Sequence, residues 1–349
     1  MEIDIREAIQ QKHLMFVDVR SPAEYKEASI PGAVNIPLFD DREHYQLSII
    51  FYQVGEHEAK RTALEMAAPK LPELVRKITE ACGDMVPLLY CKKGGMRSFS
   101  LYQVLSLTGI KACRLRNGYK AYRRYINDRL RSYILHNKLY VLHGLTGVGK
   151  TLILEEMVNQ GLPVLDLEGL ARHRGSVFGS IGLEKPRSQK DFDALLLQQL
   201  DRYQNKPCLV IENEGKRIGN IYLPIFLVEA MQQGEHFLIT APLATRVKRI
   251  LETYIQAPLN DETYKQLLGS IKSLERRLGK RKVEMLTALT KKGDYHTVAE
   301  LLCKDYYDHF YNDAKPEFYR FSKTVDASSI KQAAADIADA INKQHPALT

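Results

Sequence analysis

The sequence predicts two α/β domains in one chain, the second of which ends in a helical region. Three observations carry that expectation. Short apolar runs of strand length alternate with stretches of helical periodicity from residue 14 to residue 254. One such run, Val86–Tyr90, ends in CKKGGMRS, residues 91 to 98. Another, Lys138–His143, runs into GLTGVGKT, residues 144 to 151. Each loop joins a strand to a helix, and in open parallel sheets ligands gather at the carboxyl ends of strands. At 349 residues the chain is too long for one typical core. The boundary is placed at residue 130, giving domains 1–130 and 131–349.

In the first domain, Leu14–Val19 reads as a strand, Pro22–Tyr25 opens a helix and Ala33–Pro37 reads as a second strand. A helical insertion over roughly 56–82 precedes Val86–Tyr90, and apolar residues at helical spacing run from Arg97 to Leu107. Cys91 therefore sits where free backbone N–H groups and the positive end of a helix dipole converge. Lys92, Lys93 and Arg97 add positive charge, and Gly94 and Gly95 let the backbone turn. Such a setting depresses a thiol pKa and makes the thiolate a nucleophile. The same nest suits a tetrahedral oxyanion. The plainer alternative is an inert buried cysteine, but those sit in apolar surroundings rather than beside three cations.

The second domain opens with GLTGVGKT, which fits the phosphate-binding pattern G-x-x-x-x-G-K-[ST] in full. Gly144, Gly147 and Gly149 let backbone N–H groups point at phosphate oxygens, Lys150 reaches the terminal phosphates, and Thr151 is placed to hold magnesium. The helix Leu152–Gln160 comes next. Val164–Leu165 is a brief strand before Asp166 and Glu168, and Leu209–Ile211 is another before Glu212 and Glu214. Acids at such strand ends coordinate magnesium or move a proton, or else they merely cap helices. A further strand, His236–Thr240, leads to a helix bearing Arg246, Lys248 and Arg249, an arrangement resembling nucleotide kinases. Between the acids lies DLEGLARHRGSVFG, where Arg172, His173 and Arg174 are consecutive and Gly175 and Gly179 loosen the second half of the segment. It reads as an anion clamp or lid, or as a solvated loop.

Residues 260 to 349 read as helices. GSIKSLERRLGKRK carries Lys272, Arg276, Arg277, Lys280, Arg281 and Lys282 within eleven positions. With Arg123, Arg124, Arg129 and Arg131 of the helix near the domain boundary, it offers a basic surface to a nucleic-acid backbone. The tyrosine-rich KDYYDHFY, Lys304 to Tyr311, is suited to stacking on bases or to an ordinary packing seam. A net charge of +8 is compatible with a polyanionic partner and equally with a mildly basic enzyme. Five scattered cysteines with no CxxC pair argue against a disulfide framework and a zinc site. No apolar run reaches spanning length and the N-terminus lacks a signal-peptide core, so a cytoplasmic protein with no membrane partner is expected.

The chain carries two resemblances. The run DVRSPAEYKEASIPGAVNIPL, Asp18 to Leu38, succeeded by a strand, a cysteine, a Gly-rich loop and a helix, resembles the rhodanese domain. In that family the loop cysteine carries a chalcogen adduct. Five residues separate Cys91 from Arg97 where the commonest rhodanese pattern has four, and C-x5-R is also a phosphatase spacing. A phosphatase would normally carry a histidine before the cysteine, and Tyr90 stands there. A rhodanese-like domain joined to a P-loop NTPase-like α/β domain is similar to the tRNA 2-selenouridine synthase family. The stretches that carry this likeness are CKKGGMRS, GLTGVGKT, DLEGLARHRGSVFG, IENEGKRIGNIYLP and SIKSLERRLG. The resemblance implies replacement of sulfur by selenium in wobble 2-thiouridine of tRNA. The sulfur is first alkylated by geranyl diphosphate, and selenophosphate then supplies selenium. It implies no tightly bound cofactor, with magnesium as an option, and a selenophosphate-supplying enzyme as a possible partner. Cys91 and Arg97 would be catalytic, and Lys150 would hold the diphosphate. The alternative is a C-x5-R phosphatase or an ATP-dependent, kinase-like enzyme.

Overall fold

The computed structural model describes residues 1–255, 260–309 and 319–346. The chain forms two compact units, Met1–Ser132 with Ser188–Leu197, and Tyr133–Arg187 with Gln198–Thr349.

The first unit is built on five strands: β1 (Glu2–Ile3), β2 (Leu14–Asp18), β3 (Val34–Asn35), β4 (Val86–Tyr90) and β5 (Cys113–Leu115). They pair in the order β1-β5-β4-β2-β3, and every pairing is parallel. Val17, Leu88 and Leu89 are fully buried, which is why β2 and β4 read as continuous apolar runs rather than alternating ones. The helix Pro22–Glu27 starts on a capping box, with Ser21 and Glu24 exchanging side-chain and backbone bonds. The expected insertion is three helices, Asp41–Gln53, Glu56–Ala67 and Leu71–Cys82. The first of these was not legible, because none of its residues is buried and no apolar stripe marks it. The sheet's carboxyl edge presents Cys91, one residue past β4.

The second unit has a five-stranded parallel sheet and a small antiparallel hairpin. Its strands are β6 (Lys138–His143), β7 (Val164–Leu165), β8 (Cys208–Glu212), the hairpin β9 (Arg217–Ile218) and β10 (Ile221–Tyr222), β11 (Glu235–Thr240) and β12 (Phe321–Asp326). The sheet order is β12-β11-β6-β8-β7. Its core joins Tyr140, Leu142, Val210 and Phe237 of the strands to Ile153 and Met157 of the helix Lys150–Asn159 and Ile337 of the helix Ile330–Asn342. The C-terminal part is mainly helical, but the expectation of helices alone is corrected by β12, which pairs with β11. β12 lies at the sheet edge and only Val325 of it is buried, so FSKTVD offers no apolar run to read.

Candidate functional site

The cysteine loop is held from behind by its own unit. Cys91 is buried, and its Sγ lies 3.4 Å from Ser98 Oγ. The Ser98 hydroxyl also donates to Gly95 O at 3.2 Å, so it can turn to a thiolate by releasing that carbonyl. Tyr119 N–H donates to Cys91 O at 2.9 Å and Lys120 N–H to Lys92 O at 3.0 Å. Gly118 makes this possible: its φ is +53°, and a Cβ there would lie 2.1 Å from Cys91 O. Gly94 and Gly95 lead the loop into the helix Met96–Leu107, with Gly95 as its N-cap.

The cationic nest differs from expectation in one member. Lys92 and Lys93 are exposed, but Arg97 is ion-paired to Glu24, with Nη1–Oε2 at 2.5 Å and Nη2–Oε1 at 3.3 Å. Burial alone would raise the Glu24 carboxyl, yet the hydrogen bond and charge of Arg97 outweigh it and hold it below the usual carboxylate range. Arg97 therefore arrives already balanced, so it does not add a third uncompensated charge beside the thiol. Beneath the loop, Arg20 bonds Asp18 through Nε at 2.9 Å and Nη2 at 2.6 Å, and its guanidinium lies 4.1 Å from the centre of the Tyr119 ring.

The phosphate loop runs from the end of β6 to the helix Lys150–Asn159. Gly144, Gly147 and Gly149 all have positive φ. At Gly147, φ is +82° and a Cβ would lie 2.9 Å from Arg246 O and 3.0 Å from Ile250 Cδ1, so the loop packs directly on the helix Leu243–Tyr254. Lys150 Nζ donates to Gly144 O at 3.0 Å, and Thr151 Oγ1 to Glu168 Oε2 at 3.4 Å. Two arginines of the flanking helix clasp loop carbonyls: Arg246 Nε donates to Thr146 O at 2.9 Å and Arg249 Nη1 to Val148 O at 2.6 Å. Arg246 is fixed in turn by Asp308, at 3.0 and 2.6 Å. These arginines shape the loop's backbone.

The acids divide into two kinds. Asp166 caps the helix Leu167–Ala171, accepting Gly169 N–H at 2.8 Å. Glu168, Glu212 and Glu214 instead converge, with one oxygen from each lying within 4.8 Å of the others. Glu212 ends β8 fully buried; its Oε1 accepts Glu168 N–H at 3.0 Å and its Oε2 has no hydrogen-bond partner. Burial, then the neighbouring Glu214 charge, pushes Glu168 up to about 8. Burial first and like charges second also push Glu212 well above the carboxylate range, and burial raises Glu214. Three crowded carboxyl oxygens with one lone pair unclaimed fit a hard divalent cation, with Thr151 at the edge of the cluster.

The Arg172–Arg174 segment is engaged within its own unit. Arg172, at φ +51°, ion-pairs with Glu184 at 2.6 Å. His173 N–H donates to Glu168 O at 3.1 Å, and burial lowers its imidazole, whose Nδ1 is buried without a partner. Arg174 Nη1 donates to Ile181 O at 2.9 Å and its guanidinium lies 5.0 Å from the Tyr254 ring centre. Both arginines make partners within their own unit, and burial favours the neutral form of the histidine.

The basic patches belong to different units. Arg123 is tied to Asp193 at 2.9 Å and to Lys190 O at 2.7 Å, while Arg124 is exposed. Arg276 and Arg277 lie on the helix Glu275–Leu278, and Arg281 on the helix Lys280–Lys291, with Gly279 at φ +80° between them. They do not form one continuous helix. Arg276 and Arg281 are exposed, and Arg277 Nη1 donates to Tyr306 OH at 3.0 Å. Within KDYYDHFY, Tyr306 and Tyr307 are mostly buried packing residues, and Phe310 and Tyr311 lie outside the described residues.

Several site residues carried no sequence signal of their own. Ser98, Gly118 and Tyr119 meet Cys91, and Glu24 meets Arg97, only once the sheet forms. Asn-Gly after the β5 strand was the one available hint, since that pair marks a left-handed turn.

Comparison with known proteins agrees with this two-unit layout. The family model described as tRNA 2-selenouridine synthase AAA domain matches residues 137–345, and the Rhodanese-like domain model matches residues 3–125. A tRNA 2-selenouridine synthase of a Sulfurovum species is 30% identical, over 85% of this chain and 87% of that one. That of Cupriavidus pinatubonensis is 32% identical, over 84% and 87%. The one from Nitrosomonas europaea is 35% identical, over 68% of this chain and 63% of the relative's length. Among solved structures, the N-terminal domain of a putative ATP/GTP binding protein from Clostridium difficile covers 36% of this chain at 35% identity, with a TM-score of 0.35. Among the described residues no helix is long and apolar enough to cross a membrane. With two family models covering both units and relatives aligned along most of its length, the chain belongs to the tRNA 2-selenouridine synthase family.

Proposed function

We propose that this chain replaces sulfur by selenium in the wobble 2-thiouridine of tRNA, by S-geranylation and then selenation. The observation that carries the reading is that one chain of this family presents two strand-end anion loops of different chemistry. One holds a buried thiol, and the other a lysine, a threonine and convergent carboxylates.

In the first step the thiocarbonyl sulfur attacks C1 of geranyl diphosphate, the C–O bond breaks and diphosphate leaves. The uridine N3 proton goes to solvent or to a carboxylate. The phosphate loop suits this departure, because its N–H groups and Lys150 face the charge that develops on the leaving oxygen. A divalent cation held by Glu168, Glu212 and Glu214, beside Thr151, would neutralise the diphosphate as it leaves.

In the second step selenium of selenophosphate bonds to C2 and geranylthiolate departs, taking a proton. Water receives the phosphoryl group, so the P–Se bond breaks and phosphate is released. Cys91 orients the selenium donor, with the Ser98 hydroxyl 3.4 Å from its sulfur. Lys92 and Lys93 are the exposed cations for the oxyanion. The basic residues Arg124, Arg276 and Arg281 are the candidates for tRNA phosphates.

The C-x5-R hydrolase reading would use Arg97 to bind a phosphoryl group, and here Glu24 already occupies that arginine. The test is nucleoside analysis of tRNA from cells lacking the protein. Loss of 2-selenouridine with retention of 2-thiouridine supports the reading, and unchanged 2-selenouridine rejects it.

A further inference from the structure

The second unit contains an apolar slot beside the phosphate loop. Its walls include Ile250 and Tyr254 of the helix Leu243–Tyr254, Phe178 of the segment after Arg174, Val298 and Ala299 of the helix Tyr295–Leu302, and Tyr307. With its mouth it encloses about 460 Å³ of unfilled space. It is walled by aliphatic and aromatic side chains. A nucleobase would need hydrogen-bond partners that these walls lack.

Two contacts tie the slot to the anion site. Ile250 Cδ1 stands 3.0 Å from where a Cβ on Gly147 would be, so the slot's wall is also the wall of the phosphate loop. Tyr254 lies along the other side: its ring faces the Arg174 guanidinium at 5.0 Å, and its hydroxyl hydrogen-bonds with Ser176, in the segment that follows Glu168. Tyr307 OH donates to Ser176 Oγ at 3.4 Å, so both tyrosines turn polar ends to the 174–176 segment and apolar faces to the slot. DLEGLARHRGSVFG therefore supplies Glu168 to the carboxylate cluster and Phe178 to the slot. An anion loop that shares a wall with an apolar slot fits an amphiphile with a diphosphate head and a flexible hydrocarbon tail.

We propose that this slot, between the helices Leu243–Tyr254 and Tyr295–Leu302, is the subsite for the hydrocarbon chain of a prenyl diphosphate, and that its length sets which chain is accepted. The inference rests on the reading of the phosphate loop as a diphosphate site and adds the tail's location to it.

Calorimetric titration of the full-length protein tests this, with inorganic diphosphate, dimethylallyl diphosphate, geranyl diphosphate and farnesyl diphosphate as probes, all with magnesium. The parent binds geranyl diphosphate at least tenfold more tightly than inorganic diphosphate, a gain equal to burying about two methylene groups. Ala299→Leu fills the slot and removes that tenfold gain while leaving inorganic diphosphate affinity unchanged, which also shows that the variant is folded. Leu302→Ala lengthens the slot and moves preference at least threefold toward farnesyl diphosphate; it decides the matter if Ala299→Leu does not fold. A parent that binds inorganic diphosphate but geranyl diphosphate no more tightly overturns the slot and leaves the phosphate loop assignment standing. Variants that keep the parent's chain preference overturn it equally. A parent that binds none of the four probes overturns the diphosphate reading itself.

Discussion

Replacing Glu168 by glutamine should flatten the pH dependence of stability in the second unit. Glu168 is pushed from an ordinary value near 4.5 up to about 8 by burial and by the charge of Glu214. Between those values the folded protein keeps a proton that the unfolded chain has lost. Fewer protons in the unfolded state mean that stability falls as pH rises through this window and levels off above about 8. Each pH unit removes about 1.4 kcal/mol, so moving from pH 5 to pH 8 removes on the order of 4 kcal/mol from the metal-free protein. At ~2–4 °C per kcal/mol for a domain of this size, the melting point should drop on the order of 10 °C. The assay is thermal unfolding in a chelator from pH 5 to pH 9, parent beside Glu168→Gln. The variant keeps the side chain's size and its reach to Thr151, loses the Glu168 share of the slope while keeping that of Glu212 and Glu214, and exceeds the parent's stability at pH 8. Magnesium should reverse that order, stabilising the parent increasingly with pH and the variant little, because cation and proton compete for the same oxygens. Parallel slopes for parent and variant would refute the reasoning, as would equal magnesium stabilisation of both.

Two further outcomes concern the cysteine loop and the basic surface. Gly118→Ala adds a Cβ 2.1 Å from Cys91 O at a positive φ, costing on the order of 1–3 kcal/mol and displacing the cysteine loop; selenation should be lost while tRNA affinity in filter binding is retained. Joint reversal of Arg276, Arg277 and Arg281 to Glu should weaken tRNA binding and reduce its salt slope, with the reactivity of Cys91 toward alkylating reagents unchanged; equal affinity and slope would place the tRNA elsewhere.

The local part of the architecture was legible in the sequence. Val86–Tyr90 and Lys138–His143 are strands at the expected bounds, because their buried stretches, Pro87–Tyr90 and Leu139–Leu142, are continuous apolar runs. The loops after them could be read because a phosphate or thiolate nest is made by consecutive residues. Features that depend on distant partners could not be read. Glu212 looked like any strand-end acid until the fold set it against Glu168, 44 positions earlier. Arg97 looked like an uncompensated cation, and Glu24 balances it from a helix 73 positions away. The Arg172–Arg174 run read as a clamp or lid, or as a solvated loop, and the partners it finds in Glu184 and Ile181 could not be read from the sequence. β12 escaped because an edge strand buries little.

The central claim is that one chain uses two loops for two successive steps on one uridine. It is tested most directly by incubating purified protein with 2-thiouridine tRNA, first with geranyl diphosphate and then with selenophosphate, and reading the nucleosides by mass spectrometry. The parent should pass through S-geranyl-2-thiouridine to 2-selenouridine. Lys150→Ala, which removes the phosphate loop's cation, should remain at 2-thiouridine, and Cys91→Ser should accumulate the S-geranyl intermediate. Full selenation by Cys91→Ser, or selenation by the parent without any geranyl diphosphate, would contradict the account.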